Sequence, residues 1–117
     1  EAGIPVGLGT DTGCPYITQY DMWRELYYYC RYCHVSPAYA IHTATELNAK
    51  LAGISGITGT VEAGKSADFL VVEKNPLEDI TALRAPTDVF FRGKRIRNPK
   101  PKRIPEADEQ LDKILSL

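Results

Sequence analysis

The sequence predicts an α/β chain: one strand, two helices, a set of short glycine-punctuated strands, and a final helix behind a linker. Three observations predict it. Residues 3–10 form an apolar, glycine-rich run that ends in a polar cluster. Two stretches then carry apolar residues at three- and four-residue spacing, and beyond Gly53 that rhythm gives way to short segments broken by glycine. A lone strand and two helices cannot bury a core. No parallel βαβ rhythm supplies neighbours for the strand, so the first half reads as the end of a larger barrel or sheet.

The first element is Gly3–Thr10, a buried strand opening into the loop Thr10-Asp11-Thr12-Gly13. Asp21 to Cys33 is a helix with Met22, Leu26, Tyr29, Cys30 and Cys33 on one face. Ser36-Pro37 starts a second helix, an N-cap donor followed by proline at the first helical position. Ala40, Ile41, Ala44, Leu47 and Leu51 supply its stripe and Gly53 its stop. Gly56, Gly59 and Gly64 then punctuate short segments, and Ala67–Val72 is a strand. Asn75-Pro76 marks a turn, with one helical turn expected at Leu77–Leu83. Asp88–Phe91 and Lys94–Ile96, hinged at Gly93, form a hairpin. Arg97 to Pro105 is an extended, proline-rich linker. Glu106–Leu117 closes the chain as a helix with Ala107, Leu111, Ile114 and Leu115 on one face.

Composition bounds the partners. The 117 residues carry net charge −1, with 44% hydrophobic and 25% charged residues, which argues against wholesale disorder and against nucleic acid as a partner. The basic residues Arg97, Lys100, Lys102 and Arg103 are nearly cancelled by Glu106, Asp108, Glu109 and Asp112. No run approaches the ~20 apolar residues of a spanning helix, so no membrane role is expected. The chain starts at Glu1 and its one methionine is Met22, so it is read as a piece of a longer protein. The expected compartment is the cytoplasm, with export left open because the N-terminus is absent.

Several motifs in order resemble the closing portion of the amidohydrolase superfamily of metal-dependent hydrolases. Gly7-Leu-Gly-Thr-Asp-Thr-Gly13 resembles the family's last barrel strand, and Ser36-Pro37, Ala44-Thr45, Ala49 and Gly53 the helix after it. Gly59-Thr-Val-Glu-Ala-Gly-Lys-Ser-Ala-Asp68 resembles the entry into a small β-sandwich, continued by Asn75-Pro76-Leu77 and by Val89 with Gly93-Lys94. The match spans about residues 3–96, and the Gly-Thr-Asp-x-Gly loop leans toward the imidazolonepropionase-like and Xaa-Pro-dipeptidase-like branch.

The resemblance implies the C-terminal end of a (β/α)₈ TIM-type barrel at residues 1–55, part of a composite β-sandwich at 56–97, and a linker with a C-terminal helix at 98–117. It implies hydrolysis of C–N bonds (an amide, cyclic amide or dipeptide) in a small-molecule substrate by metal-activated water. Asp11 is where the family has a metal ligand and general base; Thr10, Thr12, Gly13 and Cys14 would shape the substrate loop. The implied cofactor is a divalent metal, zinc by preference, with one or two ions in the full-length enzyme. A zinc site takes about three protein ligands. The family's His-x-His and later histidines are not in this sequence, so no metal and no activity are expected of this chain alone.

The rival reading is a non-catalytic β-sandwich or assembly module that keeps the family scaffold without its metal site. Cys30-x-x-Cys33 with Cys14 and His34 could complete a zinc site, but the same spacing puts two thiols on one helix face, and buried free cysteines are expected. His34 falls at a left-handed helix cap, and His42 is a surface or packing residue. Tyr27, Tyr28, Tyr29 and Tyr32 surround their helix, some packing and some pointing out. Strand 3–10 and the helix faces around Leu26 and Ile41 are expected to drive self-association.

Overall fold

The computed structural model describes residues 3–115. Its helical layer begins with α1 (Met22–Cys33), where the apolar period buries Leu26 together with Trp23 and Arg24. The helix ends at His34, whose φ of 55° and ψ of 33° make the left-handed cap expected from its position. The second helical rod starts at Ser36, whose Oγ accepts from Tyr39 N at 3.2 Å, with proline at its first position.

That rod departs from the uniform helix expected. It runs as α2 (Pro37–His42), a π-helical stretch (Thr43–Leu47) and α3 (Asn48–Leu51). In the wide turn, Thr43 and Thr45 donate their hydroxyls to the carbonyls of Tyr39 (2.8 Å) and Ile41 (2.7 Å), offering those carbonyls a second partner. The rod stops at Gly53, φ 72°, where Gly53 N–H donates to Lys50 O and Ile54 N–H to Ala49 O. This pair of bonds is the glycine-dependent cap that the sequence predicted. Leu51 is exposed, so the buried stripe is Ala40, Thr43 and Ala49, flanked by Ile41 and Ala44.

α1, α2 and a 3₁₀ turn (Ile80–Arg84) enclose the core of Leu26, Ala40 and Ile80, with Leu8, Met22, Tyr29, Ile41 and Leu83 packed around it. The turn lies a few residues beyond the expected Leu77–Leu83 because Asp79 is its cap, accepting from Thr81 N at 3.0 Å. Leu26 is therefore core.

Residues 3–10 do not form the buried strand expected. They are mostly exposed and pair with no strand among the described residues. A strand needs a ladder partner for its amides, and here the side chain of Asn48 alone stands in for one, bonding the N–H and C=O of Leu8.

The glycine-rich middle likewise holds one three-stranded antiparallel sheet: β1 (Phe69–Val71), β2 (Asp88–Phe91) and β3 (Lys94–Arg97), in that spatial order. Residues 59–66 make turns, not strands. The β2–β3 hairpin turns through Arg92 and Gly93, both at positive φ, as two-residue hairpins require. Asp68 secures it by accepting from Arg92 N at 2.7 Å, while Phe69 stacks on its cross-strand partner Phe90 at 4.4 Å.

Residues 98–104 are extended and lead into α4 (Pro105–Leu115). Ala107 and Leu115 are buried but Ile114 faces out, because α4 docks mainly through charge. Asp112 bridges Arg24 (2.9 Å) and Arg84 (2.6 Å), and both guanidinium groups lie against the Trp23 ring. No described helix is long and apolar enough to cross a membrane.

Candidate active site

The path to Asp11 starts at Gly7. A Cβ there would lie 2.5 Å from Asn48 Oδ1, so any larger residue would have to push the Asn48 side chain out of its place beside the chain. Leu8 N–H then donates to Asn48 Oδ1 (3.0 Å) and Asn48 Nδ2 donates to Leu8 O (2.7 Å). Past this anchor the backbone turns sharply. Asp11 has φ 52°, a conformation that Asp tolerates better than most residues, and Gly13 has φ 124°.

The turn brings four of the five candidate residues into direct contact. The hydroxyls of Thr10 and Thr12 share a hydrogen bond of 2.6 Å, and the Cys14 thiol donates toward Asp11 Oδ2 at 3.8 Å. Gly13 contributes backbone shape only. The Asp11 carboxylate is exposed, and among the described residues its second oxygen takes no protein hydrogen bond. Such a carboxylate can accept a proton or join a cation's ligand shell.

A catalytic zinc takes about three protein ligands. No group of three or more His, Cys, Asp or Glu able to hold a metal occurs among the described residues. Asp11 thus fits one ligand position, and the described residues do not by themselves make up the site. His42 instead faces Glu46 at 3.3 Å, and Glu46 also pairs with Lys50; these contacts draw the Glu46 carboxyl below its ordinary range.

The cysteines are free, but Cys14 and Cys33 are exposed where buried thiols were expected. Cys33 ends α1, where the last turn projects past the core. Cys30 is half-buried, and that burial pushes its thiol up, away from the reactive thiolate. The tyrosines divide as anticipated: Tyr27 and Tyr29 pack against the core, while Tyr32 is exposed and stacks on Tyr28 at 6.0 Å.

A concavity of about 1830 Å³ opens between the helical rod and the sheet. Its walls include Trp23, Leu26, Ala49, Val89, Phe90 and Ile96, and Asp11 does not line it. Three acidic residues line it, Glu46, Asp68 and Glu73: Glu46 pairs with Lys50, while Asp68 accepts from Arg92 N and Thr58 Oγ1, and the Arg92 bond holds the Asp68 carboxyl below its ordinary range. The Asp11 loop is the better candidate, because its exposed carboxylate sits in the tight turn that the sequence motif marks.

Sequence reasoning missed the buried Arg24. It contacts Asp21 at 3.1 Å and Asp112 at 2.9 Å, and Asp21 also accepts from Thr18 (2.9 Å) and Trp23 Nε1 (3.0 Å). Burial pulls Arg24 down, but these carboxylates outweigh it and hold it above its ordinary value. Only the three-residue spacing of Asp21 and Arg24 was visible in the sequence; the partner on α4 was not.

Comparison with known proteins bears on the whole chain. The family model described as Amidohydrolase family matches residues 1–96. A crystal structure of a candidate prolidase from Bifidobacterium longum is 44% identical with TM-score 0.91, covering 97% of this chain and 28% of that one. A Xaa-Pro dipeptidase with bound methionine in its active site is 32% identical with TM-score 0.71, covering 81% of this chain and 23% of that one. Ochratoxinase from Aspergillus niger is 35% identical over 104 residues, or 85% of this chain and 21% of that protein. The chain therefore spans about a fifth of the length of this curated relative.

Proposed function

The chain belongs to the amidohydrolase family, and from that premise we propose that it forms part of a metal-dependent hydrolase of amide-type C–N bonds. The substrate class we favour is a dipeptide, because a prolidase-type protein and a Xaa-Pro dipeptidase are among its structural neighbours. The observation that carries the reading is the exposed Asp11 carboxylate, held in a left-handed turn just past the Leu8–Asn48 anchor.

In the whole protein, Asp11 supplies one ligand to a divalent cation, zinc by preference, and other parts of that protein supply the rest. A bound zinc would lower the pKa of its water from far above neutrality to about 7. Asp11 accepts a proton from the attacking water and returns it to the departing amine nitrogen. Thr10, Thr12 and Gly13 hold the turn, and Cys14 lies beside the carboxylate. Residues 1–55 would then close a (β/α)₈ barrel, 56–97 would contribute to a composite sandwich, and 98–117 would follow as linker and helix. This chain alone, with one ligand, would not turn over substrate.

The test is hydrolysis of a panel of Xaa-Pro dipeptides and N-acyl amino acids by the whole protein, with metal content measured in parallel. Asp11→Asn is expected to lower kcat at least ~100-fold and to reduce bound metal. Full activity in that variant would sink the assignment. A whole protein that neither binds metal nor cleaves any amide would return the scaffold-module reading.

A further inference from the structure

The C-terminal helix makes a connection that the proposed reaction does not use. Its Asp112 meets Arg24, which is 3% exposed, across a sequence separation of 88. Arg24 Nε lies 3.1 Å from Asp21 Oδ2, and that same carboxylate oxygen accepts the Thr18 hydroxyl at 2.9 Å. Asp21 stands at the start of α1, where such a carboxylate ordinarily caps backbone N–H groups, yet it makes no side-chain cap bond. It is spent on Thr18, Trp23 and Arg24 instead. Thr18 is itself buried and sits one residue beyond Ile17, whose N–H donates to Cys14 O at 3.1 Å. Cys14 in turn donates toward Asp11. A continuous chain of contacts therefore runs from α4 to the Asp11 carboxylate.

The helix end of this chain is lightly held by apolar packing, with Ala107 and Leu115 as its buried residues. Two further ties join it to the start of α1: Ile104 N–H donates to Tyr20 OH at 2.9 Å, and Arg103 lies over the Tyr20 ring. Among the described residues Arg24 Nε and Nη1 and Asp108 Oδ1 are buried without hydrogen-bond partners, Nε meeting Asp21 as an ion pair only, so the junction is incompletely satisfied. An element docked mostly by charge, with few apolar contacts, belongs to the part of a fold that opens first.

We propose that α4 is a strap that positions the Asp11 loop, with Asp112 and Arg24 as positioning residues acting through Asp21 and Thr18. The proposal rests on reading that loop as the active-site loop. When α4 lifts, Arg24 loses two of its three carboxylate partners, Asp112 and Asp108, Asp21 is freed to cap α1, and the segment 14–21 loosens.

The experiment is hydrogen–deuterium exchange on the full chain, comparing wild type with Asp112→Asn, Asp112→Glu and Glu109→Gln. Among the described residues Glu109 pairs only with Lys113, on the outer face of α4. Asp112→Asn is expected to speed exchange several-fold in 105–115 and in 14–21 while leaving the hairpin 88–97 unchanged. Asp112→Glu should restore most of the protection, and Glu109→Gln should match wild type. Faster exchange in 105–115 with 14–21 unmoved overturns the proposal, as does an equal rise in the hairpin, or no change in either segment. Equal loosening in Asp112→Glu and Asp112→Asn overturns it too, because charge would then not be what docks the helix.

Warming the wild-type chain is a second measurement that needs no variant. Segments 105–115 and 14–21 should lose protection together, below the temperature at which the hairpin opens; independent opening of the two sinks the idea. Exchange reads the loop and not turnover, so the strap can stand or fall whether or not Asp11→Asn abolishes hydrolysis.

Discussion

Asn48 closes two hydrogen bonds with a single residue, Leu8, accepting from its N–H at 3.0 Å and donating to its C=O at 2.7 Å. A side-chain amide here does what a neighbouring strand would do. Asn48→Ala should free residues 5–10 and cost about 1–3 kcal/mol, from two hydrogen bonds at a half-buried site. Denaturant unfolding reads the stability, and exchange at Leu8 reads the release. An unchanged Leu8 amide would mean that the anchor contributes nothing.

A contrast between two glycines follows from their surroundings. At Gly59, φ 100°, an added Cβ would lie 2.5 Å from Ala49 Cβ and 3.2 Å from Thr45 O. At Gly64, φ 90°, it would meet nothing within 4 Å. Gly64→Ala should cost roughly 1–2 kcal/mol of backbone strain. Gly59→Ala carries the same strain plus an overlap worth roughly 1–3 kcal/mol more. Thermal unfolding of the two variants side by side measures the difference, and equal losses would count against the close packing of Gly59 on α3.

Much of this architecture was open to sequence reasoning because its causes are local. The Ser36 cap, the Gly53 stop, the left-handed His34 and the Arg92-Gly93 turn each depend on a few adjacent residues. Residues 3–10 misled because an apolar, glycine-rich run names a strand without saying whether a partner will be present. The wide turn at Thr43–Leu47 left no periodic signature, since one irregular turn hardly disturbs an apolar stripe. In the candidate loop, Asp11 with its threonines and Cys14 was legible as a compact motif. Arg24 was not, because a basic residue in an amphipathic helix reads as solvent-facing until its distant acid is known.

The Ser36 cap offers a graded test. Ser36→Ala should destabilise the chain by about 1 kcal/mol, and Ser36→Gly by only a few tenths. Chemical denaturation orders the two. Equal costs would indicate that the Ser36 Oγ–Tyr39 N bond is not what starts the helix.

Acid should act on α4 with a definite sign. Burial would raise the Asp112 carboxyl, but hydrogen bonds from Arg84 and Arg24 more than offset it and hold it below its ordinary range. A folded-state value below the unfolded one means that the stabilisation is full above an unfolded value of roughly 3.9. It is lost as pH falls through the folded value. Trp23 is the one tryptophan of the chain and lies against both arginines, so its emission reports the event. The emission should be steady from neutrality to about pH 4 and shift below it. Asp112→Asn should already show the shifted emission at neutral pH, with a stability loss of about 1.5–3 kcal/mol; an emission unchanged in that variant would mean that Trp23 does not sense the junction.

The π-helical turn at Thr43–Leu47 also sets the phase of everything after it. Each residue added to or taken from a helix rotates the downstream part by about 100°. Running the same residues as an unbroken α-helix, with none removed, would turn the part after residue 47 by about one residue's rotation and swing Asn48 off Leu8 and Ala49 out from under Gly59. The irregular turn is thus the setting that aims two otherwise ordinary side chains at the only places where they fit.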